Sequence, residues 1–416
     1  MVPKGWSESY LGEVVTYKKG YAFNSSLYAE EGIRIVRISD TTRDSIHSDN
    51  PVFIAGGNVE GLEQYSLFEN DIILSTVGSR PHLLDSMVGK AVKVPRSAHN
   101  SLLNQNLVKL IPKKTKITNE YLFSMLKKKE FIQFISNLVR GNANQVSITL
   151  ADLFKYKFIL PSLPEQKKIA QILSTWDKAI SVTEKLLTNS QQQKKALMQQ
   201  LLTGKKRLLD ENGVRFSGEW QSLQISDIGT VVTGSTPPKN DSDNYGGDIS
   251  WATAEDFVGK YVSNTKIKLS EQGAKKARIV PKGSILVTCI ASIGKNAIAD
   301  ENMGTNQQIN SVIVRGSNSN EFFYYQIEFN VKTLLTLAGT TAVPIINKSS
   351  FEKVSLKFPH FEEQQKIADV LSAADAEITT LQKKLACLKE EKKALMQQLL
   401  TGKRRVKVEA EEAVSA

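Results

Sequence analysis

The dodecapeptide KKALMQQLLTGK occurs twice in this chain, at Lys194–Lys205 and again at Lys392–Lys403, with no substitution between the copies. The same offset of 198 positions (392 minus 194) relates the residues upstream of each copy, so that Glu165–Asp177 resembles Glu363–Asp375. A long repeat at a constant offset predicts an architecture built from two related halves.

The repeat carries a heptad pattern, in which seam positions follow each other by four and three residues alternately. In the first copy the apolar seam positions are Ile169, Leu173, Trp176, Ile180, Leu187, Leu197 and Leu201. In the second they are Ile367, Leu371, Ile378, Leu381, Leu385, Leu388, Leu395 and Leu399. A strict seven-residue register over more than four heptads predicts a coiled coil. Polar seam residues cost stability and fix register, and the chain has four of them: Thr183, Ser190, Lys194 and Lys392.

Each predicted helix has a start and a stop signal. Pro161 and Pro359 precede the helices, and prolines favour an extended residue before them. Gly204 and Gly402 follow the last seam residues, where glycine readily takes the left-handed conformation that ends a helix.

The segments before the two helices are also related. Both contain a tryptophan, short β-branched runs broken by Gly and Asn, an amphipathic helix (about 119–138 and 320–336) and a polar loop around Gly141 or Gly339. This pattern predicts an α+β fold, with two small mixed α/β domains alternating with two long helices. The predicted boundaries are 1–158 and 209–357 for the domains and 159–208 and 358–408 for the helical regions.

Two similar helices in one chain are expected to pair as an antiparallel coiled coil, which would relate the halves by a pseudo-two-fold axis. About 32 residues at roughly 1.5 Å each give a rod of about 48 Å. Two-fold related DNA readers need half-sites about 34 Å apart, so the two sizes are compatible.

Composition indicates the class of partner. A formal charge of +11 and a pI near 9.3 favour an anionic partner, and nucleic acid is the commonest one. The two cysteines form no disulfide framework or CxxC pair, which is typical of a reducing cytoplasm. Because no apolar run reaches about 20 residues and the N-terminus lacks a signal-peptide core, we expect a cytoplasmic protein.

The chain resembles the specificity subunits of type I restriction-modification systems. The resemblance rests on LPSLPEQKKIAQIL with KKALMQQLLTGKKR, and on FPHFEEQQKIADVL with KKALMQQLLTGKRR. It implies a non-catalytic subunit whose two target-recognition domains each read one half of a split, asymmetric DNA site. It further implies two adenine-N6 methyltransferase subunits as partners, restriction subunits in the full complex, and S-adenosylmethionine on the methyltransferases and not on this chain.

The sequence lacks the catalytic motifs expected of a DNA-modifying or nucleotide-binding enzyme, which favours a non-enzyme. No Asn or Asp is followed by Pro-Pro-Tyr or Pro-Pro-Phe, and CIASIGKN lacks the leading Gly and the final Ser or Thr of a phosphate loop. The four histidines have no ligand spacing, so no metal or catalytic residue is predicted.

DNA contacts are therefore expected from the recognition domains, since Arg suits guanine, Asn and Gln suit adenine, and Lys more often meets phosphate. In the first domain the candidates are Arg34, Arg37, Arg80, Asn104, Gln105, Arg140, Asn142, Asn144 and Gln145. In the second they are Lys239, Asn240, Lys295, Asn306, Gln307, Gln308, Thr340 and Thr341.

Two other interpretations stay open. One is a coiled-coil scaffold whose flanking domains bind protein, and the other is a DNA-modifying enzyme acting alone, which the missing methyltransferase motif disfavours. The acidic tail, Glu409–Ala416, is predicted to be disordered.

Overall fold

The computed structural model describes residues 2–42, 45–80, 82–83, 87–140, 146–339 and 343–408. The chain divides into two compact units, one made of Met1–Thr183 with Lys384–Ala416 and the other of Glu184–Lys383. Each unit therefore holds one globular segment and a part of both long helices. The predicted linear boundaries stay a prediction, because this division cuts through the helices. The predicted acidic tail lies outside the described residues.

The first unit is mixed α/β. Its strands are β1 (Ser7–Tyr10), β2 (Val15–Lys19), β3 (Tyr28–Ala29), β4 (Ile33–Val36), β5 (Val52–Ile54), β6 (Ser66–Leu67), β7 (Ile72–Ser75), β8 (Val77–Gly78), β9 (Ala91–Lys93), β10 (Ser101–Leu103), β11 (Leu107–Pro112), β12 (Val146–Ser147) and β13 (Lys157–Leu160). Its helices are α1 (Leu11–Val14), α2 (Asn119–Leu126), α3 (Lys129–Leu138), α4 (Leu150–Leu153) and the beginning of α5 (Leu163–Leu201), together with the end of the second long helix. The larger sheets have the orders β2-β11-β7-β9 and β3-β5-β4-β10-β6, and β4 and β10 run parallel.

The second unit repeats this plan. Its strands are β14 (Gln221–Gln224), β15 (Gly229–Thr233), β16 (Tyr245–Ala252), β17 (Tyr261–Val262), β18 (Ile267–Leu269), β19 (Ile279–Val280), β20 (Ile285–Thr288), β21 (Asn296–Ala299), β22 (Met303–Thr305), β23 (Ile309–Val314) and β24 (Ser355–Phe358). Its helices are the end of α5, α6 (Ile225–Ile228), α7 (Glu271–Lys276), α8 (Asn320–Phe329), α9 (Val331–Leu337), α10 (Lys348–Glu352) and the beginning of α11 (Phe361–Leu399). The larger sheets have the orders β15-β23-β20-β21-β17 and β18-β16-β22-β19, with β16 and β22 parallel. The predicted α+β fold class is confirmed.

One strand in each unit is buried on both faces, which explains its continuous apolar sequence. In β7, Ile72 and Leu74 pack into the core that contains α2 and α3, whereas Ile73 packs into a second core on the other face. In β20, Ile285 and Leu286 divide in the same way between two cores. Successive side chains of a strand point to opposite faces, so both layers of each domain are built on this strand.

The single helix predicted over 119–138 is in fact two helices, α2 and α3, with Lys128 extended between them. Leu122 and Phe131 are both fully buried. They lie nine residues apart, which is half a turn out of phase at 3.6 residues per turn. A continuous helix would therefore expose one of them, and the break allows both to reach the core. The helix predicted over 320–336 is also interrupted, at Asn330, whose side chain donates to the Gln326 carbonyl oxygen (2.8 Å).

Both long helices contain 39 residues, and their seam positions are buried or half-buried while most flanking positions are exposed. In the first unit Lys392 pairs with Asp177. In the second unit Ser190 donates to Glu377 (3.0 Å) and Lys194 pairs with Asp375 (2.8 Å). Since the residue number in α11 falls as the number in α5 rises, the segments within each unit run antiparallel. Three of the four polar seam residues are thus matched by polar partners on the other helix, whereas the Thr183 hydroxyl donates to the Ala179 carbonyl oxygen of its own helix (2.8 Å).

A charged clasp closes the helix ends of the first unit. Arg405 Nε donates to Glu165 Oε1 (2.8 Å), and the Arg405 guanidinium lies 5.5 Å from the centre of the Trp6 ring. Trp6 Nε1 donates to the second oxygen of Glu165 (3.0 Å). The clasp therefore joins the N-terminal segment, the beginning of α5 and the chain that follows α11.

The second unit has the matching clasp, with the two repeat copies exchanged. Arg207 forms a two-point ion pair with Glu363, with both N–O distances at 2.6 Å, and lies 6.0 Å from the Trp220 ring centre. In each clasp the carboxylate comes from one repeat copy and the arginine from the other. Both copies must therefore keep both residues, which explains why sequence at the two helix ends is duplicated.

Candidate nucleic-acid interface

The two recognition domains build the same polar turn. In the first domain the turn between β10 and β11 contains Asn104 and Gln105, and in the second the turn between β22 and β23 contains Asn306 and Gln307. Each turn is closed by a hydrogen bond to the asparagine carbonyl oxygen, from Leu107 N (3.0 Å) in one domain and from Ile309 N in the other (3.1 Å). The glutamine at each tip is exposed, and the side-chain oxygen of Gln307 accepts a hydrogen bond from the Thr236 hydroxyl.

A glycine supports each turn from the neighbouring strand end. A Cβ atom on Gly20 would lie 1.9 Å from the Asn104 carbonyl oxygen, and one on Gly234 would lie 2.2 Å from that of Asn306. Real side-chain carbons do not approach backbone atoms so closely, so only glycine fits at either position. The sequence contained both glycines after a β-branched run, but not their closeness to the turns.

In each domain one further segment bonds to the turn, and a second segment bonds to the first. Thr76 N donates to the Asn106 carbonyl oxygen (3.0 Å), and Ile148 N donates to that of Thr76 (3.1 Å). Cys289 N donates to the Gln308 carbonyl oxygen (2.8 Å), and Ile346 N donates to that of Cys289 (2.9 Å). The turn, the loop after the central strand and the segment that follows the polar loop thus form one continuous surface in each domain.

This surface brings together several of the predicted contacts in the first domain. Arg80 is exposed shortly after β8, which pairs with β12. Arg140 forms a bridge with Ser147 and its guanidinium binds Asp152 (3.0 Å). Hydrogen bonding from Thr149 and Lys155, with the charge of Arg140, holds the pKa of Asp152 below its usual value. The predicted contacts Asn142, Asn144 and Gln145 lie outside the described residues.

Arg34 and Arg37 are engaged within their own domain. Arg37 pairs with the buried carboxylate of Asp40 (2.8 Å) and also donates to the Asn50 carbonyl oxygen (3.1 Å). Arg34 donates to the His47 carbonyl oxygen. These contacts give both arginines a structural role, and DNA contact by either stays a prediction.

In the second domain, some of the predicted contact residues are exposed and others are hydrogen-bonded within the domain. Lys239 and Asn240 are exposed, and Thr236 donates from its hydroxyl to the Gln307 side chain. Lys295 is exposed but donates to the Ala254 carbonyl oxygen (2.6 Å). Asn306 and Gln308 bond to each other within the turn, where the Gln308 N–H donates to Asn306 Oδ1 (3.1 Å). Thr340 and Thr341 lie outside the described residues.

A partly exposed aromatic cluster beside the first turn, in which Tyr21 is exposed and Phe23 and Tyr65 are half-buried, was missed in the sequence. Tyr21 forms a bridge with Asn104, and its ring lies 5.0 Å from Phe23 and 5.2 Å from Tyr65. The Lys18 ammonium lies 4.9 Å from the Tyr65 ring centre. Alternating lysines and aromatic residues in YKKGYAF were the available signal, since such residues stack on or bond to nucleic acid.

A family model described as the type I restriction modification DNA specificity domain matches residues 3–189 and 217–390. The chain belongs to this family of specificity subunits. Its two matched segments each contain most of one recognition domain and most of the long helix that follows it. Specificity subunits are in general non-catalytic DNA-recognition proteins.

Named relatives agree over nearly the whole length. The specificity subunit is 27% identical to the type I restriction enzyme MjaVIII specificity subunit of Methanocaldococcus jannaschii, covering 98% of this chain and 94% of the relative. In fold it is similar to the crystal structure of a type I restriction-modification system S subunit from M. genitalium (TM-score 0.61, 14% identity, 96% of both chains). It is also similar to a chain from a structural study of complex assembly and conformational transition of the type I R-M system (TM-score 0.56, 18% identity, 97% of this chain and 100% of that chain).

Neither a metal-binding group nor a membrane-spanning helix occurs among the residues that the structure describes. No group of three His, Cys, Asp or Glu side chains in this part of the specificity subunit is placed to hold a metal ion. No helix within the same residues is both long enough and apolar enough to cross a membrane.

Proposed function

We propose that each recognition domain of this specificity subunit reads one half of a bipartite, asymmetric DNA site through the surface around its polar turn. The observation that carries the proposal is that both domains build the same turn, on the same glycine support, yet present different side chains around it. The same backbone turn with different surrounding side chains suits two domains that dock on DNA in the same way and recognise different base sequences. The net charge of +11 supports a polyanionic partner.

The long helices are proposed to set the unread spacer between the half-sites and to dock two methyltransferase subunits. Both helices are continuous, and each begins in one unit and ends in the other. The duplicated sequence offers the same helix surface twice, which suits two copies of one partner. Restriction subunits would join in the full complex, and S-adenosylmethionine would bind to the methyltransferases.

The tips of the matched turns give the most direct test of one domain for one half-site. Gln105→Ala is expected to lower methylation of the native site about tenfold by weakening recognition of its first half-sequence. Gln307→Ala is expected to have the same effect on the second half-sequence. The reason is that one adenine contact is worth about 1–3 kcal/mol. Each variant replaces the chromosomal gene, and N6-methyladenine is mapped across the genome. Relaxation of the same half-sequence by both variants would contradict the assignment. Lys282→Ala serves as the control, because Lys282 is 69% exposed and precedes β20, at the opposite end of the strand from the turn.

A coiled-coil scaffold that binds protein remains the second candidate, and salt dependence separates the two. Binding that neutralises several phosphates should weaken by about a thousandfold or more between 50 and 200 mM salt. The purified specificity subunit with its methyltransferase partner is titrated with a duplex carrying the mapped site. Binding that is insensitive to salt, or the absence of binding, would favour the scaffold.

A further inference from the structure

A buried lysine joins the second recognition domain to the helix pair. Lys260 precedes β17, and its ammonium donates to the Ser372 hydroxyl of α11 (2.8 Å) and pairs with Glu321 of α8. It also lies 4.7 Å from the centre of the Tyr325 ring. Only 12% of the Lys260 side chain is exposed, so these contacts replace its hydration.

A second lysine reaches the same tyrosine from α5. Lys194 pairs with Asp375 of α11 (2.8 Å) and Glu328 of α8 (3.0 Å), and its ammonium lies 5.4 Å from the Tyr325 ring centre. The Tyr325 hydroxyl donates to Asp375 (2.6 Å). One aromatic ring therefore contacts two ammonium groups, each of which is also held by a carboxylate.

This network differs in kind from the apolar contact beside it. Met198 and Leu201 of α5 and Leu371 of α11 share one core with the recognition domain, but apolar surfaces tolerate small shifts. Hydrogen bonds and buried ion pairs depend on direction as well as distance, and fixing register is their best-attested use. Burial lowers the pKa of Lys260 to about 8, although the charges of Asp375, Glu328 and Asp369 raise it. The ammonium is thus expensive to bury unless its partners stay in place.

The described residues of the first unit lack the tyrosine–carboxylate part of this network, although Lys128, whose side chain is also 12% exposed, donates to the Leu400 carbonyl oxygen just after α11 (3.5 Å). The matching helices can be aligned at their caps, because Thr118 N and Ser319 N each donate to a glutamine at the start of a long helix, Gln166 (2.9 Å) and Gln364 (2.8 Å). Counting from these caps, Ser124 occupies the place of Tyr325. Its hydroxyl donates to the Glu120 carbonyl oxygen of its own helix (3.0 Å).

The place of Glu328 in the first unit is taken by Lys127, a residue of opposite charge. The equivalent of the Lys194–Asp375 pair is Lys392–Asp177, in which the Asp177 side chain is 56% exposed. The asymmetry is therefore one of burial as well as of residue type.

We propose that Lys260 and Tyr325 are positioning residues that fix how the second recognition domain is set on the helix pair, and thereby sharpen spacer-length selectivity. This inference rests on the proposed function. Under this proposal, spacer-length selectivity depends on one domain, and on two residues that lie against the helices and not on the proposed DNA-reading surface. Loss of the network should leave both half-sequences unchanged and allow neighbouring spacer lengths.

The test measures methylation against spacer length. The wild-type genome map first gives the half-sites and the spacer, and a plasmid library then carries both half-sites at that spacer and at one base pair more or less. In cells with Lys260→Met, methylation of the neighbouring spacers relative to the native one is expected to rise about tenfold, a shift of about 1.4 kcal/mol. Lys266→Met is the matched control, since Lys266 is 71% exposed and pairs with Glu255 at the surface.

A second variant separates loss of the network from a general loss of folding. Tyr325→Phe keeps the ring in the core and removes only the hydroxyl that binds Asp375, so we expect a smaller broadening in the same direction. A wild-type spacer profile in both variants would overturn the inference while leaving the proposed function intact. Altered half-sequences would overturn it too. If the wild type itself gives no bipartite motif, the proposed function fails first.

Discussion

Gly20→Ala is expected to reduce methylation of the bipartite site by about a hundredfold, because it displaces the turn that presents Gln105. The new Cβ would lie 1.9 Å from the Asn104 carbonyl oxygen and 2.8 Å from that of Leu103. These are backbone atoms, which have no rotamer to change, so the turn has to move and its base contacts, worth about 2–3 kcal/mol, are lost. The measurement is the methylated fraction of the native motif in cells carrying only the variant.

The control for this prediction is Gly57→Ala, because a Cβ on Gly57 has nothing within 4 Å. Gly234→Ala should reproduce the effect through the second half-sequence, since its Cβ would lie 2.2 Å from the Asn306 carbonyl oxygen. Wild-type methylation in Gly20→Ala cells would show that the turn is not a DNA-reading element. Equal loss in Gly57→Ala cells would show that the effect is not specific to the turn.

Arg207→Ala is expected to lower the free energy of unfolding of the second unit by about 3 kcal/mol, because it leaves a buried carboxylate without its partner. The Glu363 side chain is 1% exposed, and both of its oxygens accept from Arg207 at 2.6 Å. Native-state hydrogen exchange over residues 200–220 and 361–371 measures the change in the unit that contains the clasp.

Two controls separate the ion pair from the loss of a surface charge. Arg215→Ala removes an exposed arginine from the same unit and should have little effect. The double change Arg207→Met with Glu363→Leu should recover about 2 kcal/mol, since apolar pairs of similar volume often replace buried ion pairs well. A single variant as stable as the wild type would contradict the role of the clasp.

The architecture could be predicted from the sequence because it follows from a heptad periodicity and an internal repeat. The heptad spacing from Ile169 to Leu201 predicts a long helix, and the 198-residue offset predicts that it occurs twice. The polar seam residues were visible too, but not their partners. Lys194 reaches Glu328 of α8, a contact that only the fold creates.

The details of the interface were less accessible, because they depend on approaches between distant parts of the chain. Gly20 lies beside Asn104, and Arg405 beside Glu165, without any local pattern that links them. Arg37 has a side chain suited to guanine, and no local pattern indicated that its guanidinium also pairs with Asp40. Residue type indicates what a side chain can bind, and the tertiary structure decides what it does bind.

We expect this specificity subunit to recognise a two-part DNA site, and the decisive measurement is a genome-wide map of N6-methyladenine. The map is made in the host with the gene intact, with the gene deleted, and with Gln105→Ala or Gln307→Ala in its place. We expect a bipartite motif with a fixed spacer that disappears on deletion, and whose two halves are relaxed separately by the two variants. A map that deletion leaves unchanged, together with salt-insensitive binding by the purified complex, would contradict the proposal that the two recognition domains read a bipartite DNA site.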